Sequence, residues 1–120
     1  MSRTILDTII EAKKIEVEQG KKNCSLDELE AICSAKGMPR RSLRASLQQE
    51  GGTGIIAEFK RRSPSKGWFK PEGLSVSEVV VPYEKNGAAA LSILTDQTFF
   101  GGTLHDLREA RKSTGLPLLR

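Results

Sequence analysis

The chain is poor in the residues that build metal sites and disulfide frameworks. It has two cysteines and one histidine in 120 residues. Cys24 and Cys33 stand nine apart with no histidine near them, which is not a metal-ligand spacing. They read as reduced, packed thiols of a cytoplasmic protein and not as a disulfide. His105 has no cysteine or second histidine beside it and reads as helix surface. The N-terminus lacks an apolar h-region and a cleavage site, so no signal peptide is expected. No apolar run approaches the ~18 residues that a membrane span needs. A membrane protein, a secreted disulfide scaffold and a zinc module are therefore all unexpected.

What is present is ordinary globular material: 38% apolar and 28% charged residues, with a net charge of +4. That length fits one domain, and the mild positive charge favours anionic partners in general. Residues 4–18 carry apolar side chains at Ile5, Leu6, Ile9, Ile15 and Val17, which predicts a helix capped by Ser2 or Thr4 and ended by Gly20. Ser25 and Glu28 have capping-box spacing and open a second helix. Leu26, Leu29, Ile32 and Cys33 line one side of it, and Gly37 stops it. A third, short helix covers 43–47. Gly51-Gly-Thr-Gly54 then marks a boundary between helical and alternating patterns.

After that boundary the expected order is a strand at 55–59, a loop over 61–75 and a helix over 76–86. Pro82 is awkward there because it removes a backbone donor. A buried strand at 88–94, a loop at 97–102, a helix at 103–113 and the start of a third strand at 116–120 follow. Strand–helix alternation with short connections predicts a parallel sheet. Three strands close nothing, so the expectation is part of a larger α/β domain.

The chemistry gathers at Ile55-Ile-Ala-Glu-Phe-Lys-Arg-Arg-Ser-Pro-Ser-Lys-Gly67. Glu58 and Lys60 are two apart on a strand, so both point to one face. Arg61, Arg62, Ser63, Ser65 and Lys66 follow in a Pro-containing loop. The set suits an acidic, phosphorylated small molecule. The blander reading is a surface ion pair followed by a solvated basic loop. Phe99 and Phe100 read either as core or as an aromatic wall. Asp96 reads as a turn cap or as a catalytic group.

This segment, together with Tyr83-Glu-Lys-Asn-Gly-Ala-Ala-Ala-Leu-Ser-Ile-Leu-Thr-Asp96, Phe99-Phe-Gly-Gly102, Leu116-Pro-Leu-Leu-Arg120 and Ile5-Leu-Asp-Thr-Ile-Ile-Glu-Ala-Lys-Lys-Ile-Glu-Val17, resembles indole-3-glycerol-phosphate synthase. The resemblance spans nearly the whole chain, and Glu-x-Lys-x-x-Ser-Pro-Ser is its most specific part. It implies an α/β fold: the N-terminal portion of a (β/α)₈ TIM barrel, preceded by a helical extension over 1–50, with 51–120 as the first and incomplete part of the barrel. It implies ring closure of 1-(2-carboxyphenylamino)-1-deoxyribulose 5-phosphate, a tryptophan-biosynthesis step that releases carbon dioxide and water without metal or organic cofactor. It makes Glu58 and Lys60 catalytic, Lys60 as phosphate ligand or proton donor and Glu58 as its charge partner. Ser63, Ser65, Lys66, Phe99 and Phe100 become substrate-binding residues.

Family members continue past Leu-Pro-Leu-Leu-Arg into Lys-Asp-Phe, whose lysine is the central acid. Residues 1–120 stop before it and are expected to be inactive alone. The expected partner is a small phosphorylated molecule, with neither nucleic acid nor membrane. Two other readings compete. Residues 25–48, with Arg40, Arg41 and Arg44, have the outline of a helix-turn-helix DNA-binding module. A half-barrel can also self-associate through an exposed sheet edge.

Overall fold

A computed structural model describes residues 2–68 and 70–120. Met1, and Phe69 within the expected 61–75 loop, lie outside the described residues. The chain divides into two compact units, Met1–Arg40 and Arg41–Arg120.

The first unit holds two helices. α1 spans Ile5–Asn23 behind a capping box at Thr4. The Asp7 amide donates to Thr4 Oγ1 (3.2 Å), and Asp7 Oδ2 accepts from the Thr4 amide (2.8 Å). That backbone hydrogen bond draws the Asp7 carboxyl below its usual range. α1 does not stop at Gly20 as the sequence predicts but runs to Asn23. A mid-helix glycine costs only about 1 kcal/mol, and Lys21 and Lys22 favour the negative end of the helix dipole. α2 spans Leu26–Lys36 behind the predicted Ser25–Glu28 box, and Gly37 closes it in the left-handed region at φ 52°. No described residue of this unit is buried. Leu26, Leu29 and Ile32 are exposed, as is Cys33, while Cys24 is only half-buried. The cysteines are free but are not the packed core residues expected of them.

The second unit starts with α3 (Leu43–Leu47), capped by Ser42. Ser46 Oγ donates to the Ala89 carbonyl and ties this helix to the sheet. Strands β1 (Ile56–Phe59), β4 (Ala90–Ile93) and β5 (Leu118–Leu119) form a parallel sheet in the order β1-β4-β5. Glu58 pairs with Ser92, Phe59 with Ile93, and Ser92 with Leu119. Between β1 and β4 lie β2 (Arg62–Ser63), β3 (Gly67–Trp68) and helix α4 (Ser77–Lys85). Between β4 and β5 lie α5 (Gln97–Phe100) and α6 (Leu104–Ser113).

In this unit the elements follow the sequence pattern with two informative departures. The loop expected over 61–75 contains an antiparallel pair, with Arg62 opposite Trp68. The loop expected over 97–102 contains the single turn of α5. Pro82 does not break α4: it lies on the exposed side, and its carbonyl accepts from the Asn86 amide (3.0 Å) and Nδ2 (2.7 Å).

The period-2 alternation of β1 and β4 decides which face is covered. Phe59, Leu91 and Ile93 are fully buried with Val76, Val80 and Ala110, and Leu107, Leu116 and Leu118 pack on them. Each large member of this cluster contributes about 1.5–3 kcal/mol of burial free energy. Ile56, Glu58 and Leu119 sit on the opposite face and remain exposed. Because the strands are parallel, the segments leaving β1 and β4 emerge at the same end of the sheet.

Candidate active site

The site is assembled at that C-terminal end. Phe59 is 1% exposed and locks the last residue of β1 into the core. Its neighbours Glu58 and Lys60 are thereby turned to the other face. Lys60 Nζ lies 3.0 Å from Glu58 Oε1, so the sequence-predicted pair does meet. Both side chains keep solvent access, and a pair of this kind adds at most about 1 kcal/mol of stability. Tyr83 Oη donates to the Glu58 carbonyl at 3.3 Å, fixing the strand from the helix side.

Beyond Lys60 the chain turns back on itself. The Lys66 amide donates to Ser63 Oγ (3.2 Å), and Ser63 and Ser65 hydroxyls stand 3.5 Å apart. Lys60, Ser63, Ser65 and Lys66 line an open hollow of about 400 Å³. Two ammonium groups and two hydroxyls around one hollow can hold a phosphate-sized anion. Glu58, Phe99 and Phe100 do not line it.

Arg61 is not the solvated loop residue of the bland reading. Its Nε and Nη2 donate to the two Asp106 carboxylate oxygens at 3.2 and 2.9 Å, and its Nη1 donates to the Leu74 carbonyl at 2.8 Å. The side chains are 13% and 5% exposed. The guanidinium also lies 5.0 Å from the centre of the Phe59 ring. Asp106 in addition accepts from the Thr103 amide in the capping box of α6. One carboxylate thus fastens the loop after β1 to the start of α6. Sequence reasoning passes over Asp106, although Thr103-x-x-Asp106 has the spacing of a capping box. Arg62 lies over Trp68, 5.6 Å from the ring centre.

Phe99 and Phe100 are half-buried on α5. Asp96 Oδ2 accepts from their amides at 2.7 and 3.3 Å, so Asp96 caps this turn. The turn closes on two glycines. Gly101 adopts φ 66°, and a Cβ there would meet Trp68 at 2.6 Å. Gly102 lies so close to Leu94 that a Cβ would sit 1.9 Å from its carbonyl oxygen. The hairpin after β1 and the turn after β4 therefore touch.

His105, Asp106 and Glu109 bring ligand atoms within 4.8 Å of one another. Asp106 is committed to Arg61, and Glu109 accepts from the Ser75 hydroxyl. His105 is exposed, as its sequence context predicts. The Ser75 hydrogen bond, joined by amides at the start of α4, holds the Glu109 carboxyl below its usual range. No helix among the described residues is long and apolar enough to cross a membrane.

A parallel α/β unit with acid, base, hydroxyl and aromatic groups collected at the carboxyl ends of its strands has the layout of an α/β enzyme active site. Comparison with known proteins makes the class specific. The family model for indole-3-glycerol phosphate synthase matches residues 6–120, and the chain belongs to that family. The indole-3-glycerol phosphate synthase of Bacteroides thetaiotaomicron is 45% identical over 118 residues, covering 98% of this chain and 44% of that protein. That of Syntrophobacter fumaroxidans is 50% identical over 117 residues, 96% of this chain and 43% of that protein. The Desulfosudis oleivorans relative is 40% identical over 119 residues, with 97% and 44% covered. The chain thus spans less than half the length of these curated relatives.

Proposed function

We propose that this chain supplies the first strands of an indole-3-glycerol-phosphate synthase. Residues 1–50 form the helical extension and 51–120 the opening part of a (β/α)₈ barrel. The whole enzyme converts 1-(2-carboxyphenylamino)-1-deoxyribulose 5-phosphate to indole-3-glycerol phosphate, carbon dioxide and water in the cytoplasm. The observation that carries the reading is the Glu58–Lys60 pair, 3.0 Å apart at the end of β1, in a chain of this family.

Each role follows from position. Ring closure and dehydration require protons delivered to oxygen, and an ammonium beside a carboxylate can deliver one. Lys60 reaches both Glu58 and the hollow, so it binds the phosphate or donates the proton. Glu58 holds it and balances its charge. Ser63, Ser65 and Lys66 hold the phosphate oxygens. Phe99 and Phe100 stack on the carboxyphenyl ring. No metal or organic cofactor enters this scheme.

The test is steady-state kinetics on the protein of the complete reading frame. Lys60→Ala is expected to lower turnover about 10²–10⁴-fold, the worth of a positioned acid. Unchanged kinetics would remove Lys60 from the mechanism. The rival DNA-binding reading of residues 25–48 needs a recognition helix. α3 has five residues, and its Ser46 is engaged with Ala89. Duplex binding with a steep salt dependence would revive that reading.

A further inference from the structure

We infer that Asp96 is a positioning residue: its carboxylate sets Phe99 and Phe100 as the aromatic wall and thereby tunes the site for a ring-bearing substrate. This inference rests on the proposed function. α5 has only four residues. A single helical turn fixes several backbone dihedrals for one hydrogen bond and does not persist on its own. Its far end is held by backbone: the Gly101 amide donates to the Gln97 carbonyl (3.1 Å) and the Gly102 amide to the Asp96 carbonyl (2.8 Å). Its near end is held by the Asp96 carboxylate, which takes the amides of the two phenylalanines themselves.

The surroundings bound the turn on two sides. Gly102 is packed on the Leu94 carbonyl, which forbids a shift toward β4. Trp68 and Arg62 lie against Gly101, at the other side of the turn. Loosening the cap is therefore expected to move Phe99 and Phe100 first, because Lys60, Ser65 and Lys66 of the hollow lie outside the residues that touch the turn. The carboxylate acts here as a hydrogen-bond acceptor. Asparagine serves an N-cap as well as aspartate, whereas alanine does not. A group that exchanged protons with substrate would not tolerate asparagine.

The experiment measures KM, kcat and competitive inhibition by anthranilate and by inorganic phosphate in the complete protein. Asp96→Ala is expected to weaken anthranilate inhibition about tenfold, the range of a lost N-cap, and to raise KM. Phosphate inhibition and the pH profile of kcat are expected to hold. Asp96→Asn is expected to restore both anthranilate inhibition and KM. Impairment of Asp96→Asn equal to that of Asp96→Ala overturns the inference, as does normal anthranilate inhibition in Asp96→Ala or a parallel loss of phosphate inhibition. Should Asp96→Ala fail to fold, Asp96→Ser joins Asp96→Asn: wild-type inhibition constants in both support the cap, and loss in either overturns it. A wild-type protein that makes no indole-3-glycerol phosphate overturns the proposed function and this inference with it. An active wild type with an unaffected Asp96→Ala overturns this inference alone.

Discussion

Single residues set the geometry at the sheet's carboxyl end. Arg61 and Asp106 are a buried, doubly hydrogen-bonded pair. Removing one partner of such a pair leaves a charge without compensation. Arg61→Met is therefore expected to cost about 3–5 kcal/mol in chemical denaturation, and Arg61→Met with Asp106→Leu to cost less than the single change. A double variant less stable than the single would show that Asp106 stabilises more through the α6 cap than it costs as an unpaired buried charge. Gly102 gives a second residue-scale test. Gly102→Ala puts a methyl group onto the Leu94 carbonyl and is expected to destabilise by at least about 1–3 kcal/mol. A melt equal to wild type would mean that the turn has room to shift. At this scale the sequence is partly legible. Glu58 and Lys60 share a strand face by arithmetic alone, and they meet. Arg61 reads in the sequence as one more loop cation because its partner lies 45 residues away, and no local pattern encodes that distance.

At the scale of elements, start signals are the most legible. Ser25, Thr103 and Thr4 each open a helix with a reciprocal capping box, and the spacing is visible in the sequence. Stop signals are less so. Gly20 reads as an end, yet α1 passes through it with no atom near the missing Cβ. Gly20→Ala is thus expected to raise α1 helicity and stabilise it by about 0.5–1 kcal/mol. Circular dichroism showing no gain, or a loss, would count against that. The one-turn helix α5 and the β2–β3 pair escape a sequence reading because two to four residues carry no usable periodicity. Helix-to-helix support also has a pH signature. Glu109 on α6 accepts from Ser75 at the start of α4, and its pKa lies below the ordinary value of 4.5. A lowered folded-state pKa stabilises above the unfolded value and loses that stability as pH falls through the folded one. Acid unfolding of wild type below about pH 4.5 should be steeper than that of Glu109→Gln. Superimposable profiles would remove Glu109 from the linkage.

For the whole molecule, strand–helix alternation makes the parallel sheet legible, and β1-β4-β5 is parallel as expected. The sheet's uncovered face, with Ile56 and Leu119 exposed, is not legible, because burial of one face depends on what packs there. Under the proposed function the remaining strands of the barrel cover it. Residues 1–120 alone are then expected to associate through the sheet edge into dimers or larger species, measurable by sedimentation. A monomer with a cooperative melt would contradict that. The most direct test of the central reading is the rate of indole-3-glycerol phosphate formation, measured by product fluorescence. The complete reading frame is predicted to turn over the carboxyphenylamino-deoxyribulose phosphate, and residues 1–120 alone are predicted to give no product. An inactive complete protein, or turnover by residues 1–120 alone, would contradict the account.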